Sequence, residues 1–306
     1  MTELTLKMAT GNYGHTKPLK DGTITSERIG FEHVEVPVII NAFRRMIRDL
    51  EFDVSEMALS TYLRAKAHGT PITALPVFLV RAFHHGSIAY NIKSGIKTPA
   101  DLHGRRVGVR AYTVTTGVWT RGILQSEYGV DLDKITWVIN SDEHVAAYQA
   151  PANVESVSFD RSLPDLLADG EIDAAIGVPA SPNMGIELLI PDPEAAAVSS
   201  FQETRVYPIN HTLVVRDEHL AANPWLAGEL FSLFRSGKQH FLPQLPTVDP
   251  PSSYDAIHQK IYGALGGDPL PFGIEANRAT LEAFVQYNVD QKVIPRKLSL
   301  GEIFEP

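Results

Sequence analysis

Strand and helix patterns alternate along the chain from residue 4 to about residue 216. Short apolar runs typical of buried strands occur at 72–79, 107–109, 135–140 and 172–177, and amphipathic segments separate them. Such alternation predicts α/β layers with mostly parallel sheets. Beyond residue 216 the patterns are mainly helical, with helices expected at 225–241, 254–263 and 275–289. We therefore predict two α/β units followed by a helical return.

The stretch 105–125 shows this pattern most clearly. Val107 and Val109 indicate a buried strand, residues 111–114 a turn, and the following residues an amphipathic helix. We expect the hydroxyl groups of Thr115 and Thr116 to cap the start of that helix. Free N–H groups and the helix dipole would make the turn a site for an anion. From these residues alone, an ordinary strand-to-helix connection is an equally good interpretation.

A second segment indicates a helix that carries polar side chains. Residues 51–54 have a short strand pattern, and we expect a helix from Ser55 to about Lys66. Glu56 would begin this helix, where a carboxylate also favours the dipole. Ser60 would lie one turn further along the same face.

The composition excludes several classes of function. The net charge is −9 and no basic run occurs, which argues against nucleic acid as a partner. The absence of cysteine excludes disulfides, thiolate metal ligands and a cysteine nucleophile. No apolar run approaches the roughly 20 residues that span a bilayer, and the first residues lack the pattern of a signal peptide. If Met1 is the native start, we expect a cytoplasmic protein.

No motif for a metal or a cofactor is found. The histidines are scattered, and neither a His-x-His strand motif nor HExxH occurs. The glycine-rich residues 263–268 lie between predicted helices rather than after a strand, which argues against a nucleotide. We therefore expect no metal and no organic cofactor.

Several motifs occur together: EFDVSEMALSTY at 51–62, Pro76-Val77-Phe78 with Arg81 and His85, GIKTPADLHG at 95–104, Tyr112 with Thr115 and Trp119, RGIL at 121–124, Tyr207-Pro208-Ile209 with His211, and Asn223-Pro224-Trp225. In combination they resemble the 4,5-dihydroxyphthalate decarboxylase family. This resemblance implies a two-lobed α/β fold like that of type II periplasmic binding proteins, with an interlobe cleft for the ligand. It also implies a cytosolic enzyme.

The resemblance also suggests how the chain is divided. The chain would cross between lobes near 98–105 and again near 205–211. Lobe 1 would then comprise residues 1–101 and 210–306, and lobe 2 would comprise residues 102–209.

The activity implied is non-oxidative decarboxylation of a hydroxylated aromatic carboxylate similar to 4,5-dihydroxyphthalate. Such a ring accepts the electrons itself once a hydroxyl group para or ortho to the carboxylate is polarised. The ring carbon is protonated and CO₂ leaves as aromaticity returns. The protein must hold carboxylates and supply a proton donor.

The candidates for proton transfer are His211, Glu56 and His85, with His15 as a further possibility. Histidine titrates near neutral pH, and His211 ranks first because it matches the family pattern at the second predicted crossing. Glu56 is a candidate base for a ring hydroxyl. His85 follows His84 on a segment expected to be extended, so only one of the two would face the ligand. A structural role is the alternative for each.

The candidates for substrate binding share polar or cationic side chains; they are Arg81, Arg110, Tyr112, Thr115, Thr116, Ser60, Asn12 and His15. The fork of an arginine suits a carboxylate. Two of these residues depart from the family pattern, because His15 stands where arginine is expected and Arg110 where a small residue is expected. The resemblance therefore predicts the class of reaction better than it predicts the exact substrate.

Two other functions remain open at this stage. A solute-binding protein for a small aromatic carboxylate would use the same cleft and the same anion site. Another enzyme on this scaffold, such as a synthase of a pyrimidine precursor or of the menaquinone pathway, is less compatible with the motif at 51–62. In each case the partner is a small molecule, and a homo-oligomer is compatible with the sequence.

Overall fold

The computed structural model describes residues 4–250 and 252–305. Met1, on which the expectation of a cytoplasmic protein depends, lies outside the described residues. The chain divides into two compact units. Unit 1 comprises Met1–Ala82, Ile209–Leu281 and Leu298–Pro306, and unit 2 comprises Phe83–Pro208 and Glu282–Lys297. Across the described ranges, no helix is both long and apolar enough to cross a membrane.

The strands are β1 Leu4–Ala9, β2 Ile29–His33, β3 Val54–Ala58, β4 Ile72–Arg81, β5 Ile88–Asn91, β6 Arg106–Val109, β7 Thr136–Ile139, β8 Val154–Ser156, β9 Ala174–Ile176, β10 Ile186–Leu188 and β11 Ile209–Arg216. The helices are α1 Lys17–Lys20, α2 Ile40–Asp49, α3 Leu59–Ala67, α4 Thr115–Tyr128, α5 Leu163–Ala168, α6 Pro193–Thr204, α7 Asp217–Ala222, α8 Leu226–Phe241, α9 Ser253–Ile261, α10 Arg278–Asp290 and α11 Leu300–Phe304. The late helices α8, α9 and α10 lie where the helical return was predicted.

The sheet of unit 1 has the order β2-β1-β3-β11-β4. Strands β2, β1 and β3 are parallel, whereas β11 runs antiparallel to both of its neighbours, β3 and β4. A strand from late in the chain is thus inserted between two early ones. Apolar side chains of β1, β4 and β11 form the core together with α8.

The sheet of unit 2 has the order β10-β5-β9-β6-β7-β8. Strands β9, β6, β7 and β8 are parallel, and β5 pairs antiparallel with β9 and β10. Helix α5 packs its leucine side chains on this sheet. Both units are therefore α/β layers, as the alternation predicted.

The first crossing differs from the predicted one at 98–105. The chain enters unit 2 between Ala82 and Phe83, because β5 already pairs with β9 and β10 of the second sheet. The second crossing lies between Pro208 and Ile209, within the predicted range. Residues 282–297 also belong to unit 2, since Phe284 stacks on Trp119 with ring centroids 4.5 Å apart.

Two local predictions about helix starts were wrong. Residues 55–58, expected to begin a helix, lie in the buried strand β3 instead, because pairing with β1 and β11 on both sides overrides the helical pattern. The N-cap of α4 is Val114, and no side chain caps that helix by a hydrogen bond. Thr115 is the first helical residue, so neither it nor Thr116 acts as the cap.

The packing of α8 generates a stability prediction. Leu230 is completely buried in the core of unit 1, so Leu230→Ala removes apolar contacts and leaves a cavity. We expect a loss of about 2–5 kcal/mol in the free energy of unfolding, measured by urea denaturation. Val38→Ala, at a side chain that is 56% exposed, should change it by less than about 0.5 kcal/mol. Equal effects of the two variants would contradict this account of the core.

Candidate functional site

The pairing of β3 with β11 brings two of the predicted residues together in unit 1. Leu213 lies directly opposite Glu56, and His211 lies opposite Ala58. Because side chains two residues apart on a strand share a face, Glu56 and His211 are diagonal neighbours on one face. The two residues are 155 positions apart in the chain. The sheet topology, rather than local sequence, creates this pair.

The carboxyl group of Glu56 is completely buried and has three hydrogen-bond donors. Nδ1 of His211 lies 2.6 Å from Oε1. The hydroxyl group of Tyr13 donates to the same oxygen at 2.7 Å. The backbone N–H of Gly11 donates to Oε2, also at 2.7 Å. Such donors are what a buried carboxylate requires.

The loop after β1 supplies two of these donors. Because β1 and β3 are parallel, the loop leaves the sheet at the edge where β3 also ends. Gly11 is needed at this close approach, since a Cβ atom there would lie 2.4 Å from the ring of Tyr13. Thr16 closes the loop, because its hydroxyl group donates to the backbone oxygen of Gly11 at 2.8 Å.

The environment of this site keeps two phenol groups protonated. Burial is the main reason that the pKa of Tyr13 is raised far above its ordinary value, and the neighbouring Glu56 adds to the effect. Burial and Glu56 also raise the pKa of Tyr254. Tyr13 is therefore a neutral hydrogen-bond donor, and the ring of Tyr254 lies edge-on to those of Tyr13 and His211.

This arrangement can orient an imidazole for proton transfer. The contact with Glu56 holds the proton of His211 on Nδ1, so Nε2 is the nitrogen that can exchange a proton with a bound molecule. The ring of Phe43 lies edge-on to His211 at 5.0 Å and limits its rotation. His211 itself is 7% exposed. The buried carboxylate of Glu56 and the slightly exposed imidazole of His211 thus form one hydrogen-bonded pair.

His15 does not provide a positive charge to this site. It is 1% exposed and its ring stacks on that of Tyr13, with centroids 5.3 Å apart. Burial, followed by the neighbouring His258 and Lys238, lowers the pKa of His15 to about 3. The ring is therefore neutral at pH 7, and it supports Tyr13 instead of binding an anion.

The other predicted residues of unit 1 have structural contacts. Arg81 is 1% exposed, and its guanidinium group donates to Asn277 at 2.6 Å. Ser60 is completely buried in α3, whereas Asn12 contacts Glu35 and Lys20 at the surface. Because Glu56 lies in β3, Ser60 is not one helical turn away from it, and that expectation was wrong. Substrate binding by these residues stays a prediction.

In unit 2, the turn before α4 already holds a carboxylate. The backbone N–H of Thr113 donates to both carboxylate oxygens of Glu143, at 3.2 and 3.3 Å, and the Thr113 hydroxyl group contacts the same side chain. The turn thus has the donors that the sequence predicted for an anion, but Thr113 rather than Thr115 or Thr116 provides them. Arg110, which precedes the turn, is half-buried.

Tyr112 is packed in unit 2. It is 3% exposed, and the guanidinium group of Arg121 lies 4.0 Å from the centre of its ring. Arg121 also donates to the backbone oxygen of Tyr112 at 2.6 Å. These contacts fix the turn, and roles of Tyr112, Arg110 and Thr115 in substrate binding stay predictions.

His85 also belongs to unit 2 and has its own carboxylate partner. It lies in a short 3₁₀ turn, His85–Ser87, rather than in the extended segment that was expected. Its Nε2 lies 2.9 Å from Glu127, which also accepts a hydrogen bond from Ser200 at 2.8 Å. His85 and Glu56 are thus in different histidine–carboxylate pairs, and a catalytic role for His85 stays a prediction.

Sequence reasoning missed Tyr13 and Tyr254 as parts of the site. Tyr13 lies in a short glycine-bounded loop directly after β1, which is a position where site residues often occur. That signal was available in the sequence. Tyr254 lies in α9, late in the chain, and only tertiary packing brings it near Glu56. For the ranges 4–250 and 252–305, no cluster of three or more His, Asp or Glu side chains is arranged to hold a metal ion.

Comparison with curated proteins finds two relatives described as 4,5-dihydroxyphthalate decarboxylase. One, from Comamonas testosteroni, is 32% identical over 335 aligned positions, which cover 100% of this chain and 98% of the relative. The other, from Pseudomonas putida, is 34% identical over 216 positions, which cover 64% of this chain and 81% of the relative. A family model described as NMT1/THI5 like matches residues 51–154.

Comparison with solved structures finds a periplasmic aliphatic sulphonate-binding protein, SsuA from Escherichia coli. The TM-score is 0.54 with 14% sequence identity, and the match covers 99% of this chain and 97% of that one. This likeness shows the fold alone. It confirms the predicted α/β fold of the periplasmic-binding-protein class.

The hydrogen bond between Tyr13 and Glu56 can be tested by its effect on stability. Tyr13→Phe removes one donor from a buried carboxyl group, so we expect the free energy of unfolding at pH 7 to fall by about 1–3 kcal/mol. Tyr90→Phe is the matched control, because Tyr90 donates to Glu187 at an exposed site. Urea denaturation should show a change below about 0.5 kcal/mol for the control. Similar losses for both would contradict the assignment.

The lowered pKa of His15 predicts a pH dependence of stability. Below pH 6.5 the unfolded chain binds a proton at His15, whereas the folded protein does so only near pH 3. The free energy of unfolding should therefore decrease as the pH falls from 6.5, by up to about 1.4 kcal/mol per pH unit from this group. His258, with a pKa lowered mainly by burial to about 4, contributes in the same direction.

His15→Gln should reduce the slope of the free energy of unfolding against pH between pH 6.5 and 4, whatever the substitution does to the stability at pH 7. His240→Gln is the control, because His240 is exposed and should leave the slope unchanged. Urea denaturation at a series of pH values measures both. An unchanged slope in His15→Gln would show that His15 is protonated in the folded state.

Proposed function

Because the chain belongs to the 4,5-dihydroxyphthalate decarboxylase family, we propose that it removes CO₂ from a hydroxylated aromatic carboxylate, with 4,5-dihydroxyphthalate as the first candidate. The observation that carries the mechanism is the 2.6 Å contact between Nδ1 of His211 and buried Glu56. A histidine held in this way has one nitrogen left for acid–base chemistry. The family is one of carboxy-lyases, and the pair supplies the proton donor that such a reaction needs.

The proposed reaction has two steps. In the first, protonated Nε2 of His211 transfers its proton to the ring carbon that carries the carboxylate, while the para hydroxyl group gives its proton to solvent water and becomes a ring carbonyl. In the second, the bond between that carbon and the carboxylate breaks, CO₂ leaves, and the electron pair returns to the ring and its oxygen, which takes a proton back from water; water also returns the proton to Nε2. From 4,5-dihydroxyphthalate this gives CO₂ and 3,4-dihydroxybenzoate. The ring itself accepts the electrons, so we propose that no organic cofactor takes part.

Glu56 would act through His211. Its carboxylate holds the proton on Nδ1 and stabilises the positive charge that Nε2 acquires before each transfer. The Tyr13 hydroxyl group and the Gly11 N–H hold the carboxylate in place from the other side. We therefore assign proton transfer to His211 and assign positioning to Glu56 and Tyr13.

The proposal is tested by incubating the purified protein with 4,5-dihydroxyphthalate and related hydroxybenzoates while CO₂ and the ring product are measured. In deuterated water the product should carry deuterium at the position of the lost carboxylate. We expect His211→Gln to lower kcat by about 100-fold or more, with substrate binding largely kept. His240→Gln, at an exposed histidine, should retain the rate.

Three outcomes are informative. Turnover with a normal rate in His211→Gln would remove this residue from proton transfer. Saturable binding of an aromatic carboxylate without any CO₂ release would favour a solute-binding protein. A rate that disappears on dialysis against a chelator and returns with a metal would contradict the expectation that the reaction needs no metal ion.

A further inference from the structure

Unit 2 contains a cavity of about 500 Å³ whose lining residues all belong to that unit. Its walls come mainly from α4 and α6, together with Phe83 and with Tyr287 of α10. A volume of this size is typical of sites for small molecules. None of the residues assigned to the proposed reaction lines it.

The charges around this cavity are negative. Glu127 and Glu203 line it, and within the described part of the chain no lysine or arginine does. The Glu127 side chain is 27% exposed and accepts hydrogen bonds from His85 and Ser200. The other ring nitrogen of His85, Nδ1, is buried without a partner among the described residues.

The two helices add to the negative potential. Ser126, Glu127 and Tyr128 belong to the last turn of α4, and Glu203 and Thr204 to the last turn of α6. A helix carries partial negative charge at its C-terminus, where a cation is stabilising. Neither α4 nor α6 has a basic residue in its last turn. The exposed Arg205 directly follows α6 as its C-cap, whereas α4 ends at Gly129 without a cation. The end of α4 thus favours a cation that the lining does not contain.

The remaining wall is aromatic. The half-buried ring of Tyr287 lines the cavity. The completely buried Trp119 lies behind it, with ring centroids 5.8 Å apart at an interplanar angle of 90°. Phe83 lines it as well and packs against Tyr207 at 4.7 Å. Aromatic rings attract organic cations through their quadrupoles and bury the apolar part of such a ligand.

We propose that this cavity binds a small organic ammonium ion with an apolar or aromatic body. The ammonium group lies towards Glu127 and Glu203 at the helix ends, and the apolar body packs against the aromatic wall. An aromatic carboxylate, the proposed substrate class, is disfavoured here because both carboxylates and the C-terminal end of α4 repel it. The two sites therefore differ in the sign of the charge that they accept.

The test compares three probes that share a ring and differ in charge: benzylammonium, benzyl alcohol and benzoate. Isothermal titration calorimetry at low salt measures binding of each to the whole protein. We expect benzylammonium to bind at least about tenfold more tightly than benzyl alcohol, because only the cation gains the electrostatic attraction. Added salt should weaken the binding of benzylammonium.

Two variants locate the binding. Glu203 and Ser199 are exposed residues of α6 that line the cavity, so substitutions there leave the core intact. Glu203→Gln should weaken benzylammonium binding by about threefold, and Ser199→Lys by about tenfold, because the latter adds a positive charge at the cavity. Glu194→Gln is the matched control, because it makes the same charge change in the first turn of α6 at a residue that does not itself line the cavity.

The outcomes decide for or against the site. Binding that prefers benzylammonium, that weakens in both lining variants and that is kept in Glu194→Gln supports the proposal. Absence of saturable binding at millimolar concentrations overturns it, as does binding that is indifferent to both lining variants. Benzoate binding that Ser199→Lys strengthens would also overturn it, because the cavity would then be an anion site. Decarboxylase activity is not the readout, so failure here leaves the proposed function unaffected.

Discussion

The buried carboxyl group of Glu56 is the interaction on which the structure of unit 1 depends. Removing such a group from water costs several kcal/mol unless donors replace the lost hydration. Here the replacements are the Gly11 N–H, the Tyr13 hydroxyl group and the His211 imidazole. They come from both sides of β3, so the carboxyl group is satisfied only when β1, β3 and β11 are adjacent. The hydrogen bonds of the candidate site and the order of these three strands therefore depend on each other.

The insertion of β11 explains how this requirement is met across a long separation in sequence. The chain leaves unit 1 after β4, forms most of unit 2, and returns as a strand between β3 and β4. Arg81 and Ile209, next to the points of departure and return, are paired partners in the sheet. The first 126 residues of unit 2, Phe83–Pro208, are thus attached through two adjacent strand ends. His211 reaches Glu56 because it follows directly after this return.

The sequence predicted the features that depend on local pattern. The errors arose where pairing between strands far apart in the chain determines the structure. The alternation and the late helices follow from apolar spacing and are present in the structure. Residues 55–58 were expected to begin a helix but lie in a strand, since neighbours from both sides pair with them. His15 was a candidate for substrate binding and proton transfer, and its burial depends on packing that no local pattern contains. Glu56 and His211 were singled out separately, whereas their contact could not be predicted without the strand order.

Contact between a histidine and a carboxylate does not by itself identify a catalytic pair, because this chain has several. His219 and Asp53 are 2.8 Å apart, and both side chains are about one-fifth exposed. His85 and Glu127 lie next to a cavity whose other groups are acidic and aromatic. The pair of His211 and Glu56 differs because its carboxyl group is fully enclosed and fixed by two further donors, while the imidazole keeps a small exposed surface. Fixing the carboxylate in a water-free environment strengthens its effect on a charge that develops on the ring. Burial of the carboxylate together with slight exposure of the imidazole, rather than the contact distance, is thus the property on which the proposal of proton transfer at this pair rests.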